Sequence, residues 1–264
     1  MLLAIPFPHI DPVLVSFGPF AVRWYALAYI AGLVIGWRLM RRMAAGSAYG
    51  LEAEQVDDFL FWVTLGVILG GRIGYVLFYN LPFYADNPSK ILYVWQGGMS
   101  FHGGFLGVVV AGLWFCKKRG IAPLVFGDLC ARVAPVGLFF GRIANFINGE
   151  LFGRVTDAPW GVVFPNGGPA PRHPSQLYEA ALEGLLLFIV INLLARAPSF
   201  RDRRGFLTGV FIAGYAISRM LVELVRQPDA QIGFLSLGST MGQWLSVPML
   251  LIGIYMMVRA KKPA

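Results

Sequence analysis

The chain has 264 residues, is 57% hydrophobic and only 14% charged, and has a mean hydropathy of +0.63. A soluble domain runs at ~45–50% apolar and ~25% charged, so this composition excludes one and marks an integral membrane protein. The formal charge of +8 does not point to nucleic acid, because the basic residues sit in short clusters between apolar spans rather than in one patch with interleaved aromatics.

Residues 1–19 lack the basic start and the small-residue cleavage site of a secretory leader. A spanning helix takes about 20 apolar residues. Seven stretches read as spans: 22–40, 56–78, 99–116, 125–147, 175–194, 205–224 and 241–258. The third carries Gly97, Gly98, Gly103, Gly104, Gly107 and Gly112, which allow close approach to neighbouring helices. The link at 149–174 is rich in glycine and proline and predicts a small cap rather than a domain. Cys116 and Cys130 have no metal-ligand spacing and read as small buried side chains. The expected architecture is therefore all-α. It is a single integral-membrane domain over 1–264, a polytopic helical bundle of about seven transmembrane helices with a periplasmic cap at 149–174.

The links fix an orientation. Arg38, Arg41 and Arg42 follow the first span; Lys117, Lys118 and Arg119 follow the third. Arg196, Arg201, Arg203 and Arg204 follow the fifth, and Arg259, Lys261 and Lys262 the seventh. Most of the 22 basic residues thus fall on alternate links. By the positive-inside rule those links are cytoplasmic, which places the N-terminus outside and the C-terminus inside.

A few charges remain within the spans. Arg72 lies on the second, Arg132 and Arg142 on the fourth, Glu179 and Glu183 on the fifth, and Arg219 and Glu223 on the sixth, with Arg226 at its end. A cation at the bilayer centre costs roughly 2.5–3.5 kcal/mol on insertion scales, so each should face protein, water or a ligand. On the sixth span Tyr215, Arg219, Glu223 and Arg226 are spaced i, i+4, i+8, i+11 and share one stripe. Glu223 and Arg226 fit a self-neutralising pair between helices equally well. On the fourth, Arg142 and Asn145 share a face, and Gly149 lets the chain leave the helix so that Glu150 turns back. Two arginines from different helices make a clamp for phosphate, since guanidinium forks match its oxygens and stay charged when desolvated. At that depth the simplest phosphate is a phospholipid head group.

A lone histidine on an apolar helix is usually structural. His102 has a stronger claim, because it opens the third span at the outer end and Gly103 and Gly104 beside it leave room for a substrate. It could accept a proton near neutral pH. His173 reads as a cap of the fifth span, and His9 is assigned nothing. The outer aromatics, among them Phe17, Phe20, Trp24, Tyr25 and Trp95, form an interfacial belt.

The run 141–153, Gly-Arg-Ile-Ala-Asn-Phe-Ile-Asn-Gly-Glu-Leu-Phe-Gly, resembles the signature of the bacterial prolipoprotein diacylglyceryl transferases. Tyr25, Ser100-Phe101-His102-Gly103-Gly104, the segment His173 to Glu179, and Tyr215 with the segment Arg219 to Pro228 resemble family segments in order and spacing. The resemblance covers nearly the whole chain. It implies transfer of the diacylglyceryl group of phosphatidylglycerol to the lipobox cysteine thiol of a preprolipoprotein signal peptide. A thioether forms and glycerol phosphate leaves. It also implies that Arg142 binds the lipid head group and that Tyr25, His102, Asn145, Glu150, Gly153, Tyr215 and Arg219 matter for activity. The resemblance further implies a bacterial inner membrane. Membrane lipids are the surroundings, nucleic acid is no partner, and no metal or other cofactor is expected. On this reading His102 is the candidate base, the alternative being an incoming thiolate stabilised by nearby arginines with no dedicated base; Arg142 and Arg219 stabilise the departing phosphate, and Asn145 and Glu150 orient Arg142.

Three rivals fit less well. An anion transporter or channel needs polar residues through the full membrane depth, whereas here, Arg132 apart, they gather in the outer half. An intramembrane protease needs a nucleophile–base or paired-aspartate arrangement within spans, and Asp57, Asp58 and Asp128 lie at helix ends. A scaffold leaves Arg142, Arg219 and His102 without work.

Overall fold

The structure is a computed structural model that describes residues 5–8, 10–18, 20–45, 49–228 and 233–262. His9 lies outside the described residues, as do the side chains of Phe17 and Phe20. Seven long helices follow one another among the described residues: α1 (Trp24–Ala45), α2 (Ala53–Tyr79), α3 (Phe101–Arg119), α4 (Pro123–Ile147), α5 (Ser175–Leu194), α6 (Phe206–Glu223) and α7 (Met241–Arg259). Each matches one expected span to within a few residues at most ends. By length and composition α2, α4, α5, α6 and α7 can cross a membrane. α1 and α3 are equally long, but Trp, Tyr and Arg in one and His, Gly and Lys in the other dilute their apolar content. Large apolar side chains such as Leu69, Phe78, Leu251 and Val258 stand exposed on the helix surfaces, where only lipid accommodates them.

The chain forms two compact units, residues 40–126 and residues 1–39 with 127–264. In the first, α2 and α3 pack through glycines. A Cβ on Gly66 would strike the Gly107 carbonyl, and one on Gly70 would strike that of Gly103. Such backbone-to-backbone approach is how apolar helices gain dispersion contact where lipid leaves no hydrophobic drive. Phe59, Phe115 and Phe126 stack at one end, with rings 4.3–5.8 Å apart, and Arg119 pairs with Asp58 there. Toward the other end Arg72, 4% exposed, donates to the carbonyls of Lys90, Ile91, Tyr93, Gly97 and Gly98 at 2.5–3.4 Å. Its guanidinium thereby organises the whole link after α2, and its role is structural.

Among the described residues of the second unit four short strands add to the all-α expectation. A hairpin of β2 (Val13–Phe17) and β3 (Phe20–Arg23) feeds α1, and β1 (Ile5–Pro6) lies parallel to β4 (Val162–Val163). Gly32 of α1 meets Gly137 of α4. Asp128 of α4, 1% exposed, caps α6 from outside its own helix, accepting from Gly205 N, Thr208 N and Thr208 Oγ1 at 2.7–2.8 Å. Arg132 and Asn192 join α4 to α5 by reciprocal hydrogen bonds of 3.0 and 3.1 Å. Below them Ala131, Leu187, Ile191, Ala195 and Leu207 form a buried core. Cys116 is buried and Cys130 partly so.

Candidate functional site

Helix α5 is not regular. Residues Ala180–Leu186 form a π-helical stretch between two α-helical ones. Such an insertion shifts side chains around the axis and recurs at functional sites. Here it carries Glu183, and Glu179 sits one residue before it. Both carboxylates are 0% exposed inside an otherwise apolar helix.

Three arginines converge on them. Glu179 pairs with Arg142 of α4 at 3.3 Å, with Arg219 of α6 at 2.7 Å and with Arg226 at 3.1 Å. One oxygen of Glu183, Oε2, accepts from both Nε and Nη2 of Arg142 at 3.3 and 3.1 Å. Glu223 meets Arg219 at 2.5 Å and Arg226 at 3.7 Å. Three cations face three anions, and Glu179 is the hub that touches every cation. The arginines nevertheless keep some access, with Arg142 and Arg219 side chains 16% and 19% exposed. Carboxylates meet Nε, Nη1 and Nη2 of Arg142 and Nη1 and Nη2 of Arg219, so a further anion would bind by displacing a carboxylate. Tyr215 stands within electrostatic range of Arg142, Arg219, Glu179 and Glu183. A small cavity beside Arg219 and Arg226 is lined by Glu223, Thr240 and Gly242, at the start of α7.

The signature run ends as its glycine predicts. Gly149 has φ +64° and Leu151 has φ +59°, which reverses the chain. Glu150 turns back, but onto amides: it accepts from Asn145 at 2.8 Å and Asn148 at 3.2 Å. The expectation that Asn145 and Glu150 orient Arg142 is thus corrected. Glu179 and Glu183 hold it, because they reach it across the α4–α5 packing while Glu150 is engaged beyond the helix end. Ser175 and Gln176 fasten the reversed segment by donating to the Leu151 and Glu150 carbonyls at 2.9 and 2.6 Å. Gly153 lies where a Cβ would come within 2.6 Å of the Val225 carbonyl and 2.7 Å of His173 Cβ, so only glycine fits.

The cap over these residues is stitched to α6. Gly153 bridges to Arg226, and Arg154 donates to the carbonyls of Arg226 and Glu223 at 2.9 and 3.0 Å. Arg154 also stacks over Phe234. His173 does not cap α5, contrary to expectation; Pro174 occupies that position without a side-chain bond. Instead Trp160 donates to the Tyr178 hydroxyl at 2.7 Å, and that hydroxyl meets His173 Nδ1 at 3.1 Å. Burial holds the His173 pKa below the usual histidine value.

Arg142, Asn145, Glu150, Gly153, Tyr215 and Arg219 therefore gather on one unit. Tyr25, bonded to Tyr29 at 3.2 Å, lies within electrostatic range of Glu150 and Arg142. His102, Gly103 and Gly104 belong to the other unit. His102 is exposed on the first turn of α3. Gly103 and Gly104 face α2, whose backbone fills the space expected for substrate. Glu179 and Glu183 were not among the expected site residues, although their i, i+4 spacing on an apolar span is a visible signal. Among the described residues no group of three or more His, Cys, Asp and Glu side chains is placed to hold a metal ion.

A family model described as prolipoprotein diacylglyceryl transferase matches residues 12–259. A phosphatidylglycerol–prolipoprotein diacylglyceryl transferase of Azospirillum brasilense is 58% identical over 99% of this chain and 98% of its own length. One from Rhodospirillum rubrum is 57% identical over 99% and 96%, and one from Rhizobium leguminosarum bv. trifolii is 52% identical over 100% and 96%.

Proposed function

The chain belongs to the prolipoprotein diacylglyceryl transferase family, and from that membership we infer that its arginine–glutamate cluster is the seat of the transfer. The protein is a transferase that moves the diacylglyceryl group of phosphatidylglycerol to prolipoprotein, the first step of lipoprotein maturation. The acceptor is the thiol of a lipobox cysteine in the signal peptide. The thiolate, which is the nucleophilic form, attacks the glyceryl carbon that carries the phosphate. The carbon–sulfur bond forms as the carbon–oxygen bond breaks, and glycerol phosphate leaves with the electron pair.

Negative charge grows on the departing phosphate, so the machinery must supply fixed positive charge there. Arg142 and Arg219 do this from two helices, held by carboxylates before the lipid arrives. Preorganised charge in a water-poor site is worth more than the same charge in water, because nothing need reorient during the reaction. Tyr215 stands beside them as a hydroxyl donor to the same phosphate. The Asn145–Glu150 pair and Tyr25 shape the opposite wall, and Gly153 lets the cap close down onto α6. The thiol proton passes to a base, for which His102 is the candidate that the sequence offers. The outer location of this site and the cytoplasmic placement of the basic links follow from the positive-inside distribution, and a bacterial inner membrane fits the bacterial relatives.

The observation that carries this reading is the convergence of Arg142, Arg219 and Arg226 on buried glutamates, within helices otherwise suited to lipid. It is tested by incubating purified protein in detergent with labelled phosphatidylglycerol and a lipobox-cysteine peptide. A thioether-linked diacylglyceryl peptide is expected. Folded protein that makes no such product from both substrates overturns the reading.

A further inference from the structure

The cluster described above is electrically balanced before any substrate arrives: Arg142, Arg219 and Arg226 face Glu179, Glu183 and Glu223. An anionic phosphodiester entering it would leave one uncompensated negative charge in a poorly solvated place. Groups in such places neutralise rather than stay charged without a partner. One of the three carboxylates is arranged to do so.

Glu179 touches all three arginines, so it keeps Arg219 and Arg226 if Arg142 turns away. Glu223 likewise keeps those two. Among the described residues Glu183 pairs only with Arg142, through Oε2 alone, and its Oε1 is buried without a hydrogen-bond partner. The charged and titratable groups facing Glu183 are Arg142 from α4, Glu179 from its own helix, and Arg219 and Tyr215 from α6. Arg142 is the nearest cation. When its fork swings onto phosphate, Glu183 loses its salt bridge at 0% exposure.

We propose that Glu183 takes up one proton from water when the phosphodiester of phosphatidylglycerol engages Arg142, so that head-group binding and protonation of Glu183 are a single coupled event. The inference rests on the reading of Arg142 as the head-group ligand. Glu183 acts through Arg142 and is a positioning residue. Its exchange of a cation for a proton keeps the site neutral while the arginine is transferred from carboxylate to lipid. By linkage, affinity for the lipid falls as pH rises through the window in which the free carboxylate is ionised and the bound one is not, by up to about tenfold per pH unit.

The test is calorimetric titration of the full-length protein in detergent with dihexanoyl-phosphatidylglycerol, in two buffers of equal pH and different ionisation enthalpy. The difference in heat counts protons. About one proton taken up per lipid is expected for the wild-type protein, with a protonated-carboxyl band appearing in the infrared difference spectrum. Glu183→Gln, which keeps shape and removes the titration, should bind with no proton uptake and no such band. Dihexanoylglycerol, which lacks the phosphate, should bind wild type without proton uptake. Lipid binding with buffer-independent heat in the wild type overturns the proposal. So does equal uptake in Glu183→Gln, and so does proton uptake without the infrared band. Folded wild type that binds no phosphatidylglycerol at all overturns the head-group reading, and this inference with it.

Discussion

Arg72 and Arg142 are both arginines on long apolar helices, and the molecule holds them by opposite means. Arg72 is saturated by five backbone carbonyls, neutral acceptors that leave its charge in place and its donors spent. Arg142 is held by carboxylates, which cancel its charge, and it stays 16% exposed. Carbonyls shape a link around a cation that never leaves. A carboxylate can be displaced by another anion, because the exchange of one charge-assisted pair for another costs little beyond the desolvation of each. Position on a span therefore does not separate a structural arginine from a working one; the chemistry of its partners does.

The comparison is broken most sharply at Arg142. Arg142→Ala should abolish transfer, and Arg142→Lys should lower it by about 10²-fold or more, since an ammonium keeps the balance with Glu179 and Glu183 but loses the planar fork. Labelled-lipid transfer by protein of normal gel-filtration profile decides it; near wild-type turnover for Arg142→Lys would mean that a point charge suffices. His102→Asn comes next. If His102 takes the thiol proton, loss of the base should cost about 10²-fold near pH 7 and much less above pH 9, where a cysteine thiol of pKa about 8.5 ionises unaided. An equal loss at every pH would make His102 a positioning residue. Arg72→Leu supplies the contrast. It leaves five carbonyls without their donor and should lower stability, by about 1–3 kcal/mol for each carbonyl that water cannot reach. The readout is a lowered melting temperature, and a melting curve like that of the wild type would remove Arg72 from its organising role.

What was legible in the sequence follows the range of each interaction. The seven helices are apolar runs whose ends are set by local residues, so 175–194 and 241–258 are readable almost to the residue. The reversal after Asn148 is equally local, because it turns on positive φ at Gly149 and Leu151. The partners of Arg142 are not local. They lie some forty positions on, across a helix contact, and Glu150 in the same signature run is the carboxylate that sequence proximity suggests. The π-helical stretch at 180–186 has no compositional mark, since it changes hydrogen-bond register without changing polarity. The pairing of Ile5–Pro6 with Val162–Val163 joins two-residue segments far apart in the chain, too short to show alternation.

The smallest expected effect concerns the cap, where the third kind of cation in the molecule is kept uncharged. His173 has its pKa lowered from 6.5 by burial, and its Nδ1 faces the Tyr178 hydroxyl that Trp160 also engages. With Trp160 donating, the Tyr178 proton points to Nδ1, which suits neutral imidazole and not imidazolium. A histidine with a depressed folded pKa binds fewer protons folded than unfolded. Its contribution to stability is therefore complete above pH 6.5 and declines as pH falls from there toward the folded value. Melting temperature measured from pH 8 down to pH 5 should decline below about pH 6.5 in the wild type, and the decline should be shallower in His173→Asn, which has nothing to protonate. Identical slopes in the two proteins would remove His173 as the source of the acid sensitivity. Either slope sharpens the contrast from which the other predictions start, because His173 is kept neutral by withholding a counter-anion, whereas Arg142 is kept ready by supplying one.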